Sequence, residues 1–430
     1  MESKLNKGIW EKVKFIKDKA LKIGFVHLLS ANFLLQIAGF GGQIFLTKIL
    51  SVEDIGRIKV LQSFLSNLII IAGLGLNIAI LKLCSENVSQ ERKMGLFKAG
   101  FRISLYFSIV MTAITICLAI FNVFSSDNSI NELMKYYAIQ IPFLVMGAYF
   151  ASYLQSQKKI HLMSKVQSIS KILVVVISVI GAYLYGIDGY VLTLVLGLSL
   201  STLLFVPFLK LELKSMKFQK INKEFMRLPL KLGSYSFATN LLGQLVITFN
   251  ILILNYMNGN QAEIGYYGIA QLIITSMMII PNTLNQMMIP YISEQTGKMT
   301  QIKGMLKRFE KRMLVMTISL CVLAFFLGSL LIPVIFGENY KSSVPYFQVL
   351  IFGVLFWSIY SPKGITLVSI GRVDINFKIS MISFSINLIL NLVLIKHLGT
   401  MGAALATVLT YLITIFVNRY YFKKVLDIKV

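Results

Sequence analysis

Residues 313–335 read MLVMTISLCVLAFFLGSLLIPVI, an apolar stretch without one charged side chain. A helix rises about 1.5 Å per residue, so about 20 apolar residues cross a hydrocarbon core about 30 Å thick. Backbone groups in lipid need hydrogen bonds within the protein, which a helix supplies from its own segment. The stretch therefore predicts a transmembrane helix.

Similar stretches on both sides of this segment fill most of the chain. Of its 430 residues, 56% are hydrophobic and 14% are charged, whereas soluble proteins carry about 25% charged residues. This composition excludes a soluble globular enzyme and predicts an all-α polytopic membrane protein with about 12 transmembrane helices. The predicted spans lie near residues 25–47, 58–81, 101–122, 136–155, 166–185, 188–209, 232–256, 264–290, 313–335, 344–362, 375–395 and 400–420.

Hydrophilic segments with many lysines and arginines alternate along the chain with hydrophilic segments that have few. The formal net charge is +24, and the N-terminus and the central segment Lys210–Lys231 are especially rich in lysine. By the positive-inside rule, both termini are cytoplasmic. We therefore attribute the charge to topology and contact with anionic membrane lipids, and expect no nucleic-acid partner. The segments with few basic residues lie on the side of the membrane opposite the cytoplasm. Their basic residues are Lys48, Arg57, Lys59, Lys135, Lys341 and Lys396.

The two halves of the chain repeat each other in three places, each at a nearly constant offset. Two units of six helices enter the membrane from the same side, so we expect two six-helix bundles with a substrate cleft between them. The matching segments are Asn32 and Gln36 with Asn240 and Gln244, Glu53–Gly56 with Ala262–Gly265, and Gly186–Gly189 with Gly399–Gly402.

The repeat also predicts the domain boundaries. A basic amphipathic segment, residues 1–24, lies on the cytoplasmic membrane surface. The N-terminal bundle covers 25–209 and the C-terminal bundle covers 232–420. A basic cytoplasmic linker, residues 210–231, joins them, and a cytoplasmic tail covers 421–430.

Two stretches carry a family resemblance: FLTKILSVEDIG at residues 45–56 and GLGLNIAI at 73–80. Together with the span layout, they resemble the Wzx-type oligosaccharide flippases of the multidrug and oligosaccharide-lipid exporter superfamily. The resemblance implies a V-shaped cleft between the bundles and alternating access. It also implies transport of a polyprenyl-pyrophosphate-linked oligosaccharide repeat unit to the outer leaflet of a bacterial plasma membrane, for surface polysaccharide such as O-antigen or lipopolysaccharide.

Such a cargo needs hydrogen-bonding groups at membrane depth, and the inner helices supply amides. Buried amides without partners cost several kcal/mol, so they must face protein or water. They line the cleft or join helices by hydrogen bonds, and for the repeated Asn and Gln pairs we favour the cleft. The candidate substrate-binding residues are Asn32, Gln36, Gln43, Gln62, Asn240, Gln244, Asn250, Gln271 and Asn282.

The inner helices offer fewer cations for the pyrophosphate than amides for the sugar. Lys165, Lys171 and Lys378 lie inside the cytoplasmic boundary, and Arg57 and Lys59 lie at the outer start of the second span. For Lys165 and Lys378 we favour snorkelling to the interface over phosphate attraction. Lys171 lies deeper, so phosphate attraction is its better explanation.

Several alternatives stay open. A multidrug antiporter would be expected to bury an acidic residue, but all 18 Asp and Glu lie in loops, termini or near span ends. A peptidoglycan-precursor flippase usually has two more spans, and a polymerase or ligase needs a larger outer loop. We expect no enzyme activity, metal site or cofactor. Coupling to H⁺ or Na⁺ stays open, as do partner enzymes of polysaccharide assembly.

Overall fold

A computed structural model describes residues 25–86, 88–210, 212, 223–257, 259–293 and 299–427. The predicted segment 1–24, much of the linker and the end of the tail lie outside these residues. Within them the chain forms helices and no strand. The helices are α1 Phe25–Ile49, α2 Val52–Gly73, α3 Leu76–Ser85, α4 Gln90–Ile120, α5 Asn128–Tyr137, α6 Gln140–Ser156, α7 Ile160–Leu203, α8 Lys223–Met257, α9 Gln261–Met277, α10 Ile279–Ser293, α11 Met299–Phe336, α12 Ser343–Ser369 and α13 Val373–Asp427, with 3₁₀ turns at Val206–Leu209 and Glu338–Ser342.

Twelve membrane crossings account for these helices. Eight helical segments are long and apolar enough to span a bilayer, and the pair α5 and α6, bent by 46°, forms a ninth. Helix α1, with 25 residues, forms a tenth. Helices α7 and α13 each reverse direction at a glycine and so count twice. The described residues confirm the all-α, twelve-span prediction.

The two reversals use the same local geometry. Gly186 in α7 has φ 62° and ψ −144°, and Gly399 in α13 has φ 55° and ψ −135°. Only glycine adopts this region without strain. These are the two turns that the sequence repeat matched, so the structure confirms the match locally. After each turn the chain returns close to its own backbone, Gly189 against Gly181 and Gly402 against Leu394.

One face of α11 is apolar and uncovered. Phe326, Leu330 and Val334 are 71%, 65% and 69% exposed. They follow one another at every fourth position and therefore form one stripe. An apolar stripe of this length on a spanning helix is a lipid-facing surface.

The helices divide into two compact units. The first comprises Met1–Gln43, Leu68–Cys117 and Lys135–Phe237. In its core the ring centroids of Phe97 and Tyr153 lie 4.4 Å apart. The Tyr149 hydroxyl donates to the Phe97 carbonyl over 2.8 Å, which ties α6 to α4.

The second unit comprises Ile44–Asn67, Leu118–Met134 and Ala238–Val430. At one end of α11, α12 and α13, six buried apolar residues form a core that holds the three helices together. The division into bundles at 25–209 and 232–420 stays a prediction. The core residues are Leu306, Leu367, Ile375, Ile379, Phe422 and Val425.

Within the second unit, the loop before α5 is held by hydrogen bonds to the end of α8. Ser125 Oγ donates to Asn255 Oδ1 over 2.8 Å, and Asn255 Nδ2 donates to the Phe124 carbonyl over 2.8 Å. The start of α2 contacts the same loop, because Arg57 Nε lies 2.8 Å from Asp127 Oδ2. These contacts fix the loop on the helix ends.

Candidate functional site

A cavity of about 500 Å³ lies within the second unit, among α8, α9, α10, α12 and α13. Its volume falls in the range of small-molecule sites, about 300–1,000 Å³. The cavity is lined by residues from 242 to 418, so it belongs entirely to the C-terminal half of the chain. We take it as the candidate functional site.

Two polar stripes on α13 form one wall of the cavity. Before the turn at Gly399, Asn376, Ser380 and Ser383 line it. Their spacing of three and four residues places them on one helical face. After the turn, a second stripe with the same spacing completes the wall. It consists of Thr407, Thr410, Thr414 and Asn418.

A buried hydrogen-bond network joins this wall to α8. Asn391 Nδ2 donates to Asn250 Oδ1 over 2.7 Å. Asn250 Nδ2 donates to the Tyr267 hydroxyl over 2.9 Å and to Thr407 Oγ1 over 2.6 Å. Asn391 and Asn250 are 0% and 1% exposed. Asn391 Oδ1 lacks a donor among the described residues, so the network is satisfied in part, and its hydrogen bonds hold α8 and α9 against α13.

Further hydrogen bonds link the two halves of α13. Asn387 Nδ2 donates to Thr410 Oγ1 over 3.2 Å. Thr414 Oγ1 lies 2.9 Å from Ser383 Oγ. Both pairs bridge the hairpin that turns at Gly399, so the turn sets the register of the two polar stripes.

Some acceptors at the cavity have no protein partner among the described residues. Asn285 donates through Nδ2 to Ser361 Oγ over 3.0 Å, but its Oδ1 has no donor. Asn418 Oδ1 also lacks a donor. Both side chains are almost fully buried, at 2% and 1% exposure. Both oxygens are covered by protein atoms, and an unsatisfied buried acceptor of this kind costs about 1–3 kcal/mol.

Aromatic rings from α12 and α13 also line the cavity. Trp357, Tyr360 and Tyr411 line the cavity. The rings of Tyr360 and Tyr411 lie 6.1 Å apart between centroids. Aromatic side chains offer large apolar area together with a polar end. The cavity therefore combines hydroxyl and amide groups with aromatic rings.

The cavity carries no formal charge. None of the described lining residues is Asp, Glu, Lys, Arg or His. Lys363 is the sequence neighbour of the lining residue Gly364, and its Nζ lies 2.6 Å from Glu310 Oε1. Its charge is therefore paired. The described lining residues therefore offer only uncharged groups to a ligand.

The cavity brings together three of the nine predicted substrate-binding residues: Asn250, Gln271 and Asn282. Gln271 also donates through Nε2 to the Ile247 carbonyl over 2.9 Å. The other residues lie elsewhere, on α1, α2 and the first part of α8. Gln36, Gln43, Gln62 and Gln244 are half-buried, Asn240 is exposed, and Asn32 lies in α1.

The predicted cations lie in different surroundings. Lys171 packs beside α1, because a Cβ at Gly39 would lie 3.7 Å from its Nζ. Lys165, Lys171 and Lys378 are all exposed. None of the three lines the cavity among its described residues.

The two outer cations are held by protein contacts. Arg57 bonds to both Asp54 and Asp127, each over 2.8 Å. Lys59 is 8% exposed, and its stem packs against Gly268, where an added Cβ would lie 3.1 Å from Lys59 Cδ. The guanidinium of Arg57 is thus occupied by two carboxylates.

The polar stripes on α13 were missed by sequence reasoning, which weighed mainly the amides of spans one, two, seven and eight. The sequence does contain a pattern that predicts these stripes. From Asn376 to Asn391 and from Thr407 to Asn418, polar residues recur at every third or fourth position in otherwise apolar spans. Such a stripe on a transmembrane helix faces protein or water.

The chain matches one protein family and several known proteins. The family described as "Polysaccharide biosynthesis protein" matches residues 21–296. An uncharacterized membrane protein of Methanocaldococcus jannaschii, MJ1068, is 24% identical over 96% of this chain and 85% of its own length. The capsular polysaccharide biosynthesis protein CapF of Staphylococcus aureus is 30% identical over 104 residues, 24% of this chain and 26% of CapF.

Solved structures share the fold. The lipid II flippase MurJ in an inward closed conformation has a TM-score of 0.78 and 20% identity, covering 92% of this chain and 87% of MurJ. An inward-facing multidrug resistance transporter of the MATE family, within the MOP superfamily, has a TM-score of 0.75 and 11% identity, covering 91% and 94%. At 20% and 11% sequence identity, the likeness to these two structures shows a shared fold and no more. Because the family match covers more than half of the sequence, this multi-pass membrane protein belongs to the polysaccharide biosynthesis protein family.

Proposed function

We propose that this protein moves a polyprenyl-pyrophosphate-linked oligosaccharide repeat unit from the cytoplasmic to the outer leaflet of a bacterial plasma membrane, for surface polysaccharide assembly. The family match and the transporter fold support the proposal. The observation that carries it is the uncharged cavity lined by hydroxyls and amides at membrane depth.

The cavity matches the chemical problem that such a cargo poses. Sugar hydroxyls lose their hydrogen bonds to water when they enter hydrocarbon, and each uncompensated hydroxyl costs several kcal/mol. Serine, threonine and asparagine both donate and accept hydrogen bonds. Ser380 and Ser383 already donate to the Asn376 and Ile379 carbonyls, so their hydroxyls can only accept from a sugar. The Asn376 amide can also donate, and together these groups can replace water around a sugar.

The pyrophosphate requires positive charge. We assign Lys171 as the first candidate, because it lies beside Gly39 in the middle of α1 and no ion pair of its ammonium is seen among the described residues. A cation at depth is costly unless it serves a partner, and a phosphate is a strong one. Arg57 is a weaker candidate because two carboxylates already bind it.

Transport by alternating access requires that contacts on one side of the membrane break as those on the other side form. The contacts of α2 and the loop before α5 with α8 and α9 are the set we expect to break on the outer side. They include Ser125 with Asn255 and Gly56 with Gly265. Coupling to H⁺ or Na⁺ would supply energy, and no residue is assigned to it.

Deletion of the gene in its own host tests the proposal. We expect loss of surface polysaccharide, together with accumulation of the lipid-linked repeat unit in the inner leaflet. The wild-type gene should restore both. Unchanged polysaccharide combined with greater sensitivity to cationic drugs would contradict the proposal and favour a multidrug antiporter.

A peptidoglycan-precursor flippase is the second candidate. The fold likeness to a lipid II flippase, with a TM-score of 0.78, favours it. Depletion separates the two functions, because loss of a peptidoglycan precursor would cause lysis, whereas loss of a surface polysaccharide repeat would leave the cells osmotically stable.

A further inference from the structure

We infer that the cavity among α8, α9, α10, α12 and α13 is a subsite for neutral saccharides and rejects sugars that carry a carboxylate. The inference rests on the proposed function, because it names the class of sugar in the cargo. It concerns this cavity alone and leaves the pyrophosphate to the cations elsewhere in the chain.

The absence of charge among the described lining residues is the first observation. A carboxylate buried without a cation keeps neither its hydration nor a compensating partner, and the penalty is several kcal/mol. Lys363, beside the cavity in sequence, already pairs with Glu310 over 2.6 Å. A uronic acid in this site would therefore find no free cation among the described lining residues.

The amides at the cavity are the second observation. Asn282 and Asn376 line it and are not fully buried. An amide both donates and accepts hydrogen bonds, as sugar hydroxyls and N-acetyl groups do, whereas an ionised carboxylate only accepts. These amides can therefore replace water around a neutral sugar, but they supply no positive charge to a carboxylate.

The aromatic rings are the third observation. Trp357 and Tyr360 line the cavity from α12, and Tyr411 lines it from α13. A pyranose has one face of C–H groups that packs on an aromatic ring, while its edge of hydroxyls bonds to amides and hydroxyls. A purely apolar ligand would use the rings but would leave the polar lining groups without partners.

The chain offers a direct optical probe of the site. It contains two tryptophans. Trp357 lines the cavity, and Trp10 lies outside the described residues. In a Trp10→Phe variant excited beyond the absorption of the 19 tyrosines, the fluorescence comes from Trp357 alone. We would titrate the full-length, detergent-solubilised variant with the disaccharide of N-acetylglucosamine, with a digalacturonate of similar size, and with farnesol as an apolar ligand.

We expect a saturable change in Trp357 emission with the neutral disaccharide, and binding of the digalacturonate weaker by at least about tenfold. Equal or tighter binding of the digalacturonate, a response to farnesol alone, or no saturable response to the neutral disaccharide would each overturn the inference.

A charge placed in the wall should reverse the selectivity. Asn376→Lys adds a cation to the polar stripe, so it should strengthen digalacturonate binding by about tenfold or more and weaken the neutral disaccharide. Val373→Lys is the control, because Val373 precedes Asn376 by less than one turn and is 46% exposed. Gel filtration would show whether the Asn376→Lys protein is folded. If the folded variant kept the wild-type preference for the neutral disaccharide over the digalacturonate, the assignment of this cavity as the saccharide subsite would be contradicted.

Failure of the subsite and failure of the proposed function give different results. If Trp10→Phe protein still translocates a lipid-linked neutral sugar in liposomes but Trp357 never responds, the subsite is wrong and the transport function stands. If Trp357 binds neutral disaccharide but no lipid-linked sugar crosses the membrane, the subsite stands and the transport function is wrong.

Discussion

Gly56 in α2 and Gly265 in α9 pack against each other in a reciprocal contact. A Cβ on Gly56 would lie 3.1 Å from Gly265 N, and a Cβ on Gly265 would lie 3.3 Å from Gly56 N. Each glycine also faces the backbone carbonyl of the residue four positions before the other, Gln261 and Val52. These glycines are equivalent positions of the sequence repeat, so the repeat produces a locally symmetric helix crossing.

Substitution of Gly56 should destabilise this crossing. In Gly56→Ala the new methyl group overlaps the Gln261 carbonyl, and overpacking of this kind costs about 1–3 kcal/mol. We expect a lower midpoint of thermal unfolding in detergent. Gly304→Ala is the matched control, since no atom lies within 4 Å of its Cβ position, and it should be neutral or stabilising. Equal midpoints for the two variants would refute the crossing.

The buried pair Asn250 and Asn391 should be energetically coupled. Asn391→Leu removes the donor to Asn250 Oδ1 and leaves a buried acceptor unsatisfied, which costs about 1–3 kcal/mol. A double-mutant cycle with Asn250→Leu should give a coupling of about 0.5–3 kcal/mol in thermal unfolding. The neighbouring Leu392→Ala, at a position 47% exposed to lipid, should show no coupling with Asn250→Leu. Additive effects of the two Asn variants would rule the network out.

Charge retention at Lys171 tests its assignment to the pyrophosphate. Lys171→Ala should reduce export per molecule of membrane protein much more than Lys171→Arg, because only the alanine variant lacks the positive charge. Arg57→Gln should have a smaller effect, since Arg57 already serves Asp54 and Asp127. Wild-type export by Lys171→Ala at normal abundance would remove Lys171 from the transport path.

The topology can be mapped with thiol reagents in a variant that lacks Cys84, Cys117 and Cys321. Asp188→Cys, in the exposed turn after Gly186, should react with an impermeant reagent added outside the cell. Ser89→Cys, in the exposed loop before α4, should react only after the membrane is permeabilised. The opposite pattern would mean that the positive-inside assignment of this chain is wrong.

The spans and the hairpins could be predicted from the sequence because both depend on local features. Length and apolar composition determine a spanning helix. A Gly-x-x-Gly turn repeated at Gly186 and Gly399 predicts the same reversal twice, because positive φ with negative ψ is accessible to glycine almost alone.

The cavity could be predicted only in part because it depends on contacts distant in sequence. Asn250 was predicted as a polar residue at depth, but its partner Asn391 lies 141 positions later. The serines and threonines of α13 carry a weak signal individually, because each can also bond to its own helix backbone. Arg57 was assigned to the pyrophosphate because its partner Asp127, 70 residues away, could not be identified from sequence.

Translocation by the purified protein tests the central claim most directly. Liposomes containing the protein and a polyprenyl-pyrophosphate-linked disaccharide of N-acetylglucosamine would be treated with an impermeant glycosidase, and the cleaved fraction measured over time against protein-free liposomes. We expect the protein to bring the inner-leaflet half of the substrate to the enzyme, and Lys171→Ala to slow this step. Cleavage that stops at the outer-leaflet half, as in protein-free liposomes, would contradict the proposed function.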